Sequence, residues 1–439
     1  MDISLTNVAF IGIGLFLIFM FLRMPIGIAM LLSAFIGIWL IRGMPAALNT
    51  TGIALYRTAS TYNLSVIPLF IFMGVLAGAG GVSKSAFDTL NKWLGHLPGG
   101  LAMAATGACA AFGAVCGNHI ATAATMCEAA LPEMRRYNYD DKLSLGCISA
   151  SGNLGYLIPP SGAFIVYGFM TETPIGQLFI SGILPGLVLT VMFMAQIYLQ
   201  CRLNPRLGPT APAVVSWKER LISSKGILGI VVVFIIVMGG IYAGFFTPTE
   251  AGAVGVFAVF LLGLIGRQLT MKGFLNSLLE AAKVSAMIML LIIGAKLFTS
   301  FLTLTEVPIT LTSFVQGLDV NRYIILAAIL GVYVICGFFM DIFAVLMVSL
   351  PIVFPIVVLQ LGFDPLYFGV LSVTTIMIGA ISPPFGVIVF AIHGMTKVPI
   401  STIFRGCMPF LLTMVVGLII LVVFPQISTI LPNLMMPYR

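Results

Sequence analysis

Residues 153–168 read NLGYLIPPSGAFIVYG, and residues 378–390 read IGAISPPFGVIVF. Each is an apolar run cut by two consecutive prolines, Pro159-Pro160 in the first and Pro383-Pro384 in the second. Consecutive prolines remove two amide donors and break a helix locally. Inside a run long enough to cross a bilayer, such a break strands backbone groups at membrane depth. Irregular backbone survives there only where protein or a wet cavity surrounds it. Two such breaks point to a membrane protein with a cavity at its centre.

The breaks belong to a longer internal repeat. Adding 224 to Asp140, Gly155, Pro159, Pro160 and Gly162 gives Asp364, Gly379, Pro383, Pro384 and Gly386, each identical in type. Upstream the offset becomes 223, which carries Pro132 to Pro355 and Asn118 to Asp341. Asn118 and Asp341 fall within two further apolar stretches, Gly99 to Leu131 and Tyr323 to Leu359, that small or polar residues interrupt halfway. The first is expected to turn at Cys116, Gly117 and Asn118, and the second between Gly337 and Asp341. Both are therefore expected as re-entrant hairpins. Each half of the chain reads as hairpin, Asp loop, half-helix, Pro-Pro break and half-helix.

The remaining sequence has the same character. Hydrophobic residues make up 60% of the 439 and charged residues 8%, against about 45–50% and about 25% in soluble domains, so a water-soluble protein is excluded. Runs near the roughly 20 residues that a span needs are expected at Thr6–Leu22, Pro25–Ile41, Leu64–Ala79, Leu143–Met170, Gln177–Gln200, Gly226–Gly244, Ala251–Gly266, Ala281–Thr303, Pro365–Met395 and Thr402–Phe424. The longest polar connection, Cys201 to Lys225, is too short for a soluble domain. The net charge of +7 does not imply nucleic acid, because the basic residues flank apolar runs, where they set orientation. The seven cysteines lie in or beside apolar segments without paired spacing, and read as small apolar residues. Asp2, with no Lys or Arg before the first run, argues against a secretory signal and for a retained helix.

Five spans separate the hairpins, so they enter from opposite faces and the repeats are expected to be inverted. Under this topology Arg42, Arg57, Arg322 and Arg439 share one side, Lys283 and Lys296 fall within a span, and all other Lys and Arg lie on the opposite side. The crowded side is expected to be cytoplasmic and both termini periplasmic. The expected divisions are 1–98 (scaffold helices), 99–176 (first hairpin and broken helix), 177–322 (connecting and scaffold helices), 323–400 (second hairpin and broken helix) and 401–439 (C-terminal helix).

A broken helix exposes amides at the start of one half and carbonyls at the end of the other, which suit anions and cations respectively. The polar residues available there are Asn118, His119, Thr122, Thr125, Ser149, Ser151, Asn153 and Ser161, then Asp341, Ser372, Thr374, Thr375 and Ser382. Asp341 is the sharpest candidate, since a carboxylate in an apolar segment is costly and usually functional; the competing reading is a structural hairpin cap. His119 reads either as a satisfied polar group or as a substrate or pH-sensitive contact. Glu128 is read as solvated near Arg135, and Lys283 as a snorkelling residue near its helix end. Lys296 is the better anion-binding candidate of the two lysines.

GAVCGNHIATAAT at 113–125, NLGYLIPPSGAFIVYG, GFFMDIFAVLMVSLPIVFP at 337–355, LGFDPLYFGV at 361–370 and IGAISPPFGVIVF together resemble the large membrane subunit of tripartite ATP-independent periplasmic (TRAP) transporters, within the wider ion transporter superfamily. The resemblance covers essentially the whole chain in order and spacing. It implies an all-α polytopic membrane protein of the bacterial inner membrane with an elevator mechanism, in which a scaffold stays fixed while a transport domain carries a small organic anion. The family uses sodium as coupling ion and no organic cofactor. Its partners are a small membrane subunit of about four spans and a soluble periplasmic substrate-binding protein. Carried over position by position, Cys116, Gly117, Asn118 and Gly155 hold one sodium, and Gly337, Asp341, Thr374, Thr375 and Gly379 a second. Substrate contacts are expected from Asn118, His119, Thr122, Ser151, Asn153, Ser161, Asp341 and Ser382. Many relatives carry a serine-rich turn resembling SGSS where this chain has CGNH, so backbone carbonyls and Asn118 would have to serve at that tip.

The other readings are a stand-alone cation-coupled anion transporter, a channel and a membrane enzyme. Inverted hairpins suit alternating access better than a continuous pore. HExxH, GxSxG with partners and Walker-type loops are all missing, which argues against an enzyme and against ATP-driven transport by this chain alone.

Overall fold

The computed structural model describes residues 4–210, 216–318 and 320–435, and among these it is helical throughout, with no strand. The first half contains α1 (Leu5–Phe21), α2 (Ile26–Arg42), α3 (Met44–Ala59), α4 (Val66–Ala79), α5 (Val82–Leu94), α6 (Gly100–Cys116), α7 (His119–Arg136), α8 (Asp141–Gly152), α9 (Leu154–Leu157), α10 (Gly162–Thr171) and α11 (Ile175–Leu203). A short α12 (Trp217–Ser223) leads to the second half: α13 (Lys225–Tyr242), α14 (Pro248–Ile265), α15 (Met271–Leu304), α16 (Val307–Gln316), α17 (Arg322–Phe339), α18 (Ile342–Phe354), α19 (Pro365–Ile381), α20 (Val387–Thr396), α21 (Ile400–Val423) and α22 (Gln426–Met435). Among the described residues, eight helices are long and apolar enough to cross a membrane, or nine if a bent pair counts as one span. The bent pair is Asp141–Leu157 with Gly162–Thr171, which meet at 40° across the first proline break.

Both apolar stretches expected as hairpins are interrupted at the expected places, α6 giving way to α7 at Gly117-Asn118 and α17 to α18 at Met340-Asp341. Asn118 caps α7 by accepting from the Ala121 amide, and Asp341 caps α18 by accepting from the Phe343 amide. Asp140 and Asp364 do the same for α8 and α19. A capping carboxylate or amide satisfies one of the orphan donors at a helix start, which is why polar residues recur at these four places in an apolar chain. The helix order after each hairpin is also the same. Adding 223 to the limits of α6, 100 and 116, gives 323 and 339, against 322 and 339 for α17. Asn153 Nδ2 donates to the carbonyl of Met377 at 3.1 Å, two positions 224 residues apart, so equivalent points of the two halves touch.

Several features differ from expectation. Helices α3, α5, α16 and α22 lie between or after the expected spans. Their sequences alternate polar and apolar residues, as in the strongly amphipathic VSKSAFDTLNKWL of α5, and no span-length apolar run marks them. Helix α15 begins at Met271, capped by Thr270, ten residues before the expected start. Lys283 is therefore three turns inside a continuous helix and not near its end, as the position of the apolar run had implied. The second break is also simpler than the first: α19 runs unbroken to Ile381, whereas α8 and α9 already part at Asn153.

Burial separates two classes of helix. Helices α6, α8 and α19 are buried on nearly all sides, while only 22–33% of the residues across the spans of α13, α14 and α17 are buried. Helices that are apolar all round belong to a protein interior or a bilayer, and here the first group forms the interior.

Candidate functional site

The two hairpin tips and the first proline break converge in the interior. Gly117 closes the first tip in the left-handed region, φ +61°, and its carbonyl accepts from the Gly162 amide at 3.2 Å, tying the tip to the start of α10. The Asn118 carbonyl accepts from the Thr122 hydroxyl at 2.7 Å and from the Thr122 amide at 3.0 Å. His119, next along, is 1% exposed and puts Nε2 3.3 Å from Oδ1 of Asp341 at the other tip. The contact is one of proximity, since its angles do not suit a hydrogen bond: both His119 ring nitrogens and Asp341 Oδ1 lack hydrogen-bond partners. The His119 ring also rests on Tyr156, with centroids 4.2 Å apart, and Tyr156 meets Phe343 edge-on at 5.4 Å. Residues of three segments are thus in contact in series: Asp341 and Phe343 of the second hairpin on either side of His119 at the first tip and Tyr156 of the broken helix.

Close approach at two helix crossings brings these segments together. In the first half Gly113 of α6 lies against Gly155 of α9; a Cβ on Gly113 would stand 2.9 Å from the Gly155 Cα. In the second half Gly337 of α17 lies against Gly379 of α19, where a Cβ on Gly379 would stand 2.7 Å from the Gly337 main chain. Both pairs are related by 224 residues. Any side chain would push each hairpin away from its broken helix.

The polar residues divide into satisfied and unsatisfied groups. Ser149, Ser151, Ser372 and Ser382 are buried and bonded, to the carbonyl of Leu145, the hydroxyl of Thr106, and the carbonyls of Phe368 and Ile378. Ser161 caps α10 and donates to the Tyr156 carbonyl. These hydroxyls face into the protein. Thr374 and Thr375 are also fully buried, yet their hydroxyls have no partner, and neither has Asn153 Oδ1. An unpaired buried polar group costs about 1–3 kcal/mol and calls for an explanation. Asp341 Oδ1 is likewise without a hydrogen-bond partner; oxygen atoms of this kind are the chemistry that a donor or a hard cation requires. At the first expected ion site the Gly117 carbonyl, the Asn118 carbonyl and Asn118 Oδ1 each already accept a hydrogen bond.

A narrow cleft runs over the first tip, between Cys116, Gly117, Asn118 and Phe343 on one side and Phe70 of α4 and Ile288 of α15 on the other. Along α4, α7 and α15 a wider cleft of about 370 Å³ holds Thr125, Glu128, Asn276 and Glu280. Glu128 and Glu280 both line it, from α7 and α15. Glu128 is exposed on α7, and Arg135, about two helix turns further on, pairs with Asp141 at 3.0 Å. Lys296 lies with its ammonium 5.0 Å over the Phe169 ring. All seven cysteines are free.

A sequence model of the family described as "Tripartite ATP-independent periplasmic transporter, DctM component" matches residues 13–427. The chain belongs to that family. A C4-dicarboxylate TRAP transporter large permease of Pseudomonas aeruginosa is 36% identical over 390 residues, 89% of this chain and 90% of that one. The sialic acid TRAP transporter large permease of Vibrio cholerae is 29% identical, over 95% of this chain and 97% of its own length. The isethionate TRAP transporter permease of Oleidesulfovibrio alaskensis is 33% identical over 94% of this chain, which spans 65% of that longer protein. Among solved structures, the Alcanivorax borkumensis YdaH transporter superposes with a TM-score of 0.60 at 14% identity, over 89% of this chain and 88% of that one, a likeness of fold.

In this TRAP large permease, sequence reasoning missed Gly113, Tyr156, Phe343 and Glu280. Gly113 carried a readable signal, because adding 224 gives Gly337. The two aromatic residues and Glu280 carried none, since nothing local distinguishes them from other apolar or loop-facing positions.

Proposed function

We propose that this chain is the substrate-moving subunit of a secondary transporter that takes up a small organic anion, a carboxylate, sugar acid or sulfonate, on an inward sodium gradient. The observation that carries this reading is the meeting of the two hairpin tips, His119 against Asp341 at 3.3 Å; the buried hydroxyls of Thr374 and Thr375 on α19, which lack partners, support it. Oxygen atoms without donors suit a small cation, and the positive dipole ends of α10 and α20 suit an anionic group. The fold then works as an elevator: α6 to α10 and α17 to α20 form the moving body, and α4 and α15, which face the cleft, belong to the scaffold. The cleft with Glu128 and Glu280 is the route to the side that carries most of the Lys and Arg, which is the cytoplasm under the positive-inside rule. The protein sits in the bacterial inner membrane with both termini periplasmic. A separate small membrane subunit and a periplasmic binding protein complete it, and the names of its relatives support a small organic acid as cargo.

The test is uptake into proteoliposomes holding this chain and its small subunit, with labelled C4-dicarboxylate, sialic acid and isethionate each offered on a cognate binding protein. Accumulation that needs both the soluble protein and an inward sodium gradient is expected for one of them. Uptake without any binding protein would favour a stand-alone carrier. Uptake indifferent to sodium would remove the ion assignment.

A further inference from the structure

A groove on the outer side of α6 plays no part in this transport scheme. Its mouth lies at the end of α12. There Trp93 and Trp217 meet edge to face with centroids 6.2 Å apart, and the Arg220 guanidinium lies 5.2 Å over the Trp217 ring. Trp93 Nε1 donates to the Ser224 hydroxyl at 3.2 Å. Arg220 Nη2 stands 3.5 Å from Nδ1 of His96, while its Nε is buried without a hydrogen-bond partner. Lys218 and Lys225 flank the mouth in sequence and are exposed. Glu219, next to Arg220 in sequence, is turned back to accept from the Ser216 amide.

From the mouth, Leu90, Ile227 and Val231 lead inward. The same α13 residues then border a cleft of about 390 Å³ between α13, α11 and α6. Its wall on α6 is unusually small, Gly107, Ala110, Ala111 and Ala114, and it ends at Ile158 beside the first proline break. Thr190 supplies the one hydroxyl of the lining, and that hydroxyl already donates to the Gly186 carbonyl at 2.7 Å.

Depth and charge together identify the occupant. Ser224 to Phe234 along α13 is about 15 Å of helix, half of a hydrocarbon core about 30 Å thick. The groove is therefore one leaflet deep, with its polar end at the surface and its apolar end at mid-bilayer. Indoles favour the headgroup level, and guanidinium pairs well with phosphate oxygens. Water has no partners in so apolar a cleft, and an apolar helix lying there would leave the buried Arg220 Nε unsatisfied.

We propose that this groove binds one anionic phospholipid, its phosphate held by Arg220 beside Trp93 and an acyl chain lying along Ala110, Ala114 and Val231. The lipid belongs to the leaflet on the basic side and fills the seam between α13 and the first hairpin.

The test uses the full chain with Trp39→Phe, so that Trp93 and Trp217 alone report, reconstituted in phosphatidylcholine vesicles. Brominated phosphatidylglycerol or brominated phosphatidylcholine is titrated in, and indole quenching gives their relative binding. Phosphatidylglycerol should be preferred about fivefold, the scale of one basic residue meeting an anionic lipid. Arg220→Gln should bring the ratio to about one while leaving overall quenching. Ala111→Leu, which fills the groove, should weaken quenching by both lipids. Equal quenching by the two lipids in the parent chain, or an unchanged preference in Arg220→Gln, would overturn the proposal. Loss of lipid quenching when the small membrane subunit is added would also overturn it, by assigning the groove to a protein helix.

Discussion

Replacing Gly379 by alanine tests the crossing on which the second tip depends. A Cβ there would stand 2.7 Å from the Cα and carbonyl carbon of Gly337 and from the Val334 carbonyl oxygen. All three are main-chain atoms, so no side chain can swing aside and α17 must move off α19. Overpacking costs about 1–3 kcal/mol, and displacement of a whole helix puts this case at the upper end. Alanine returns about 1 kcal/mol of helix propensity over glycine, leaving a net loss of about 2 kcal/mol. Gly331, on the same α17, is the control, because its Cβ would meet nothing within 4 Å. Gly331→Ala should therefore gain about 0.5–1 kcal/mol. Thermal unfolding of the full chain in detergent should show Gly379→Ala melting several degrees below the parent and Gly331→Ala at or above it. Gly113→Ala should repeat the loss in the first half, where its Cβ would lie 2.9 Å from the Gly155 Cα. At temperatures where Gly379→Ala is still folded, uptake should already be impaired, because the tips no longer meet. Equal melting temperatures for Gly379→Ala and Gly331→Ala would refute the claim that these glycines set the helix approach.

Thr374→Val and Thr375→Val remove hydroxyls that are buried without partners; each should raise stability without sodium by about 1 kcal/mol and shrink the rise in melting temperature that sodium produces. An undiminished sodium-induced rise would remove both from the ion site. Asp341→Asn keeps the cap on α18, since asparagine caps as well as aspartate and Asn118 does so at the first tip. It should leave melting within about 0.5 kcal/mol but abolish sodium-dependent uptake, and retained uptake would discard the carboxylate as an ion ligand. Ser216→Cys, at an exposed position, should react with an impermeant maleimide from the cytoplasmic side alone, measured against the parent cysteines; labelling from the periplasm would reverse the topology.

Much of the architecture was legible because the signals are local. Apolar run length marked the spans, and small or polar residues at 116–118 and 337–341 marked the hairpin turns. Paired prolines marked the breaks, and Asp140 and Asp364 marked helix starts that they do cap. The amphipathic helices α3, α5 and α16 escaped because a mixed polar face looks like a connecting loop when only long apolar runs are sought. The start of α15 escaped for the same reason, and the reading of Lys283 failed with it.

The chain's own sequence determined where the long apolar helices, the two hairpin turns and the two proline breaks fall, since these follow from hydropathy, proline chemistry and capping within a few residues. Its internal offset of 223–224 further determined that the two halves share one plan. Only the tertiary structure decided which polar groups meet. It brought His119 to Asp341, left Thr374 and Thr375 without partners while pairing the nearby serines, and buried α6 while burying only 22% of its counterpart α17. Hydrogen bonding, close packing and burial at those places depend on segments some two hundred residues apart, and nothing in the local chain encodes which neighbour will arrive.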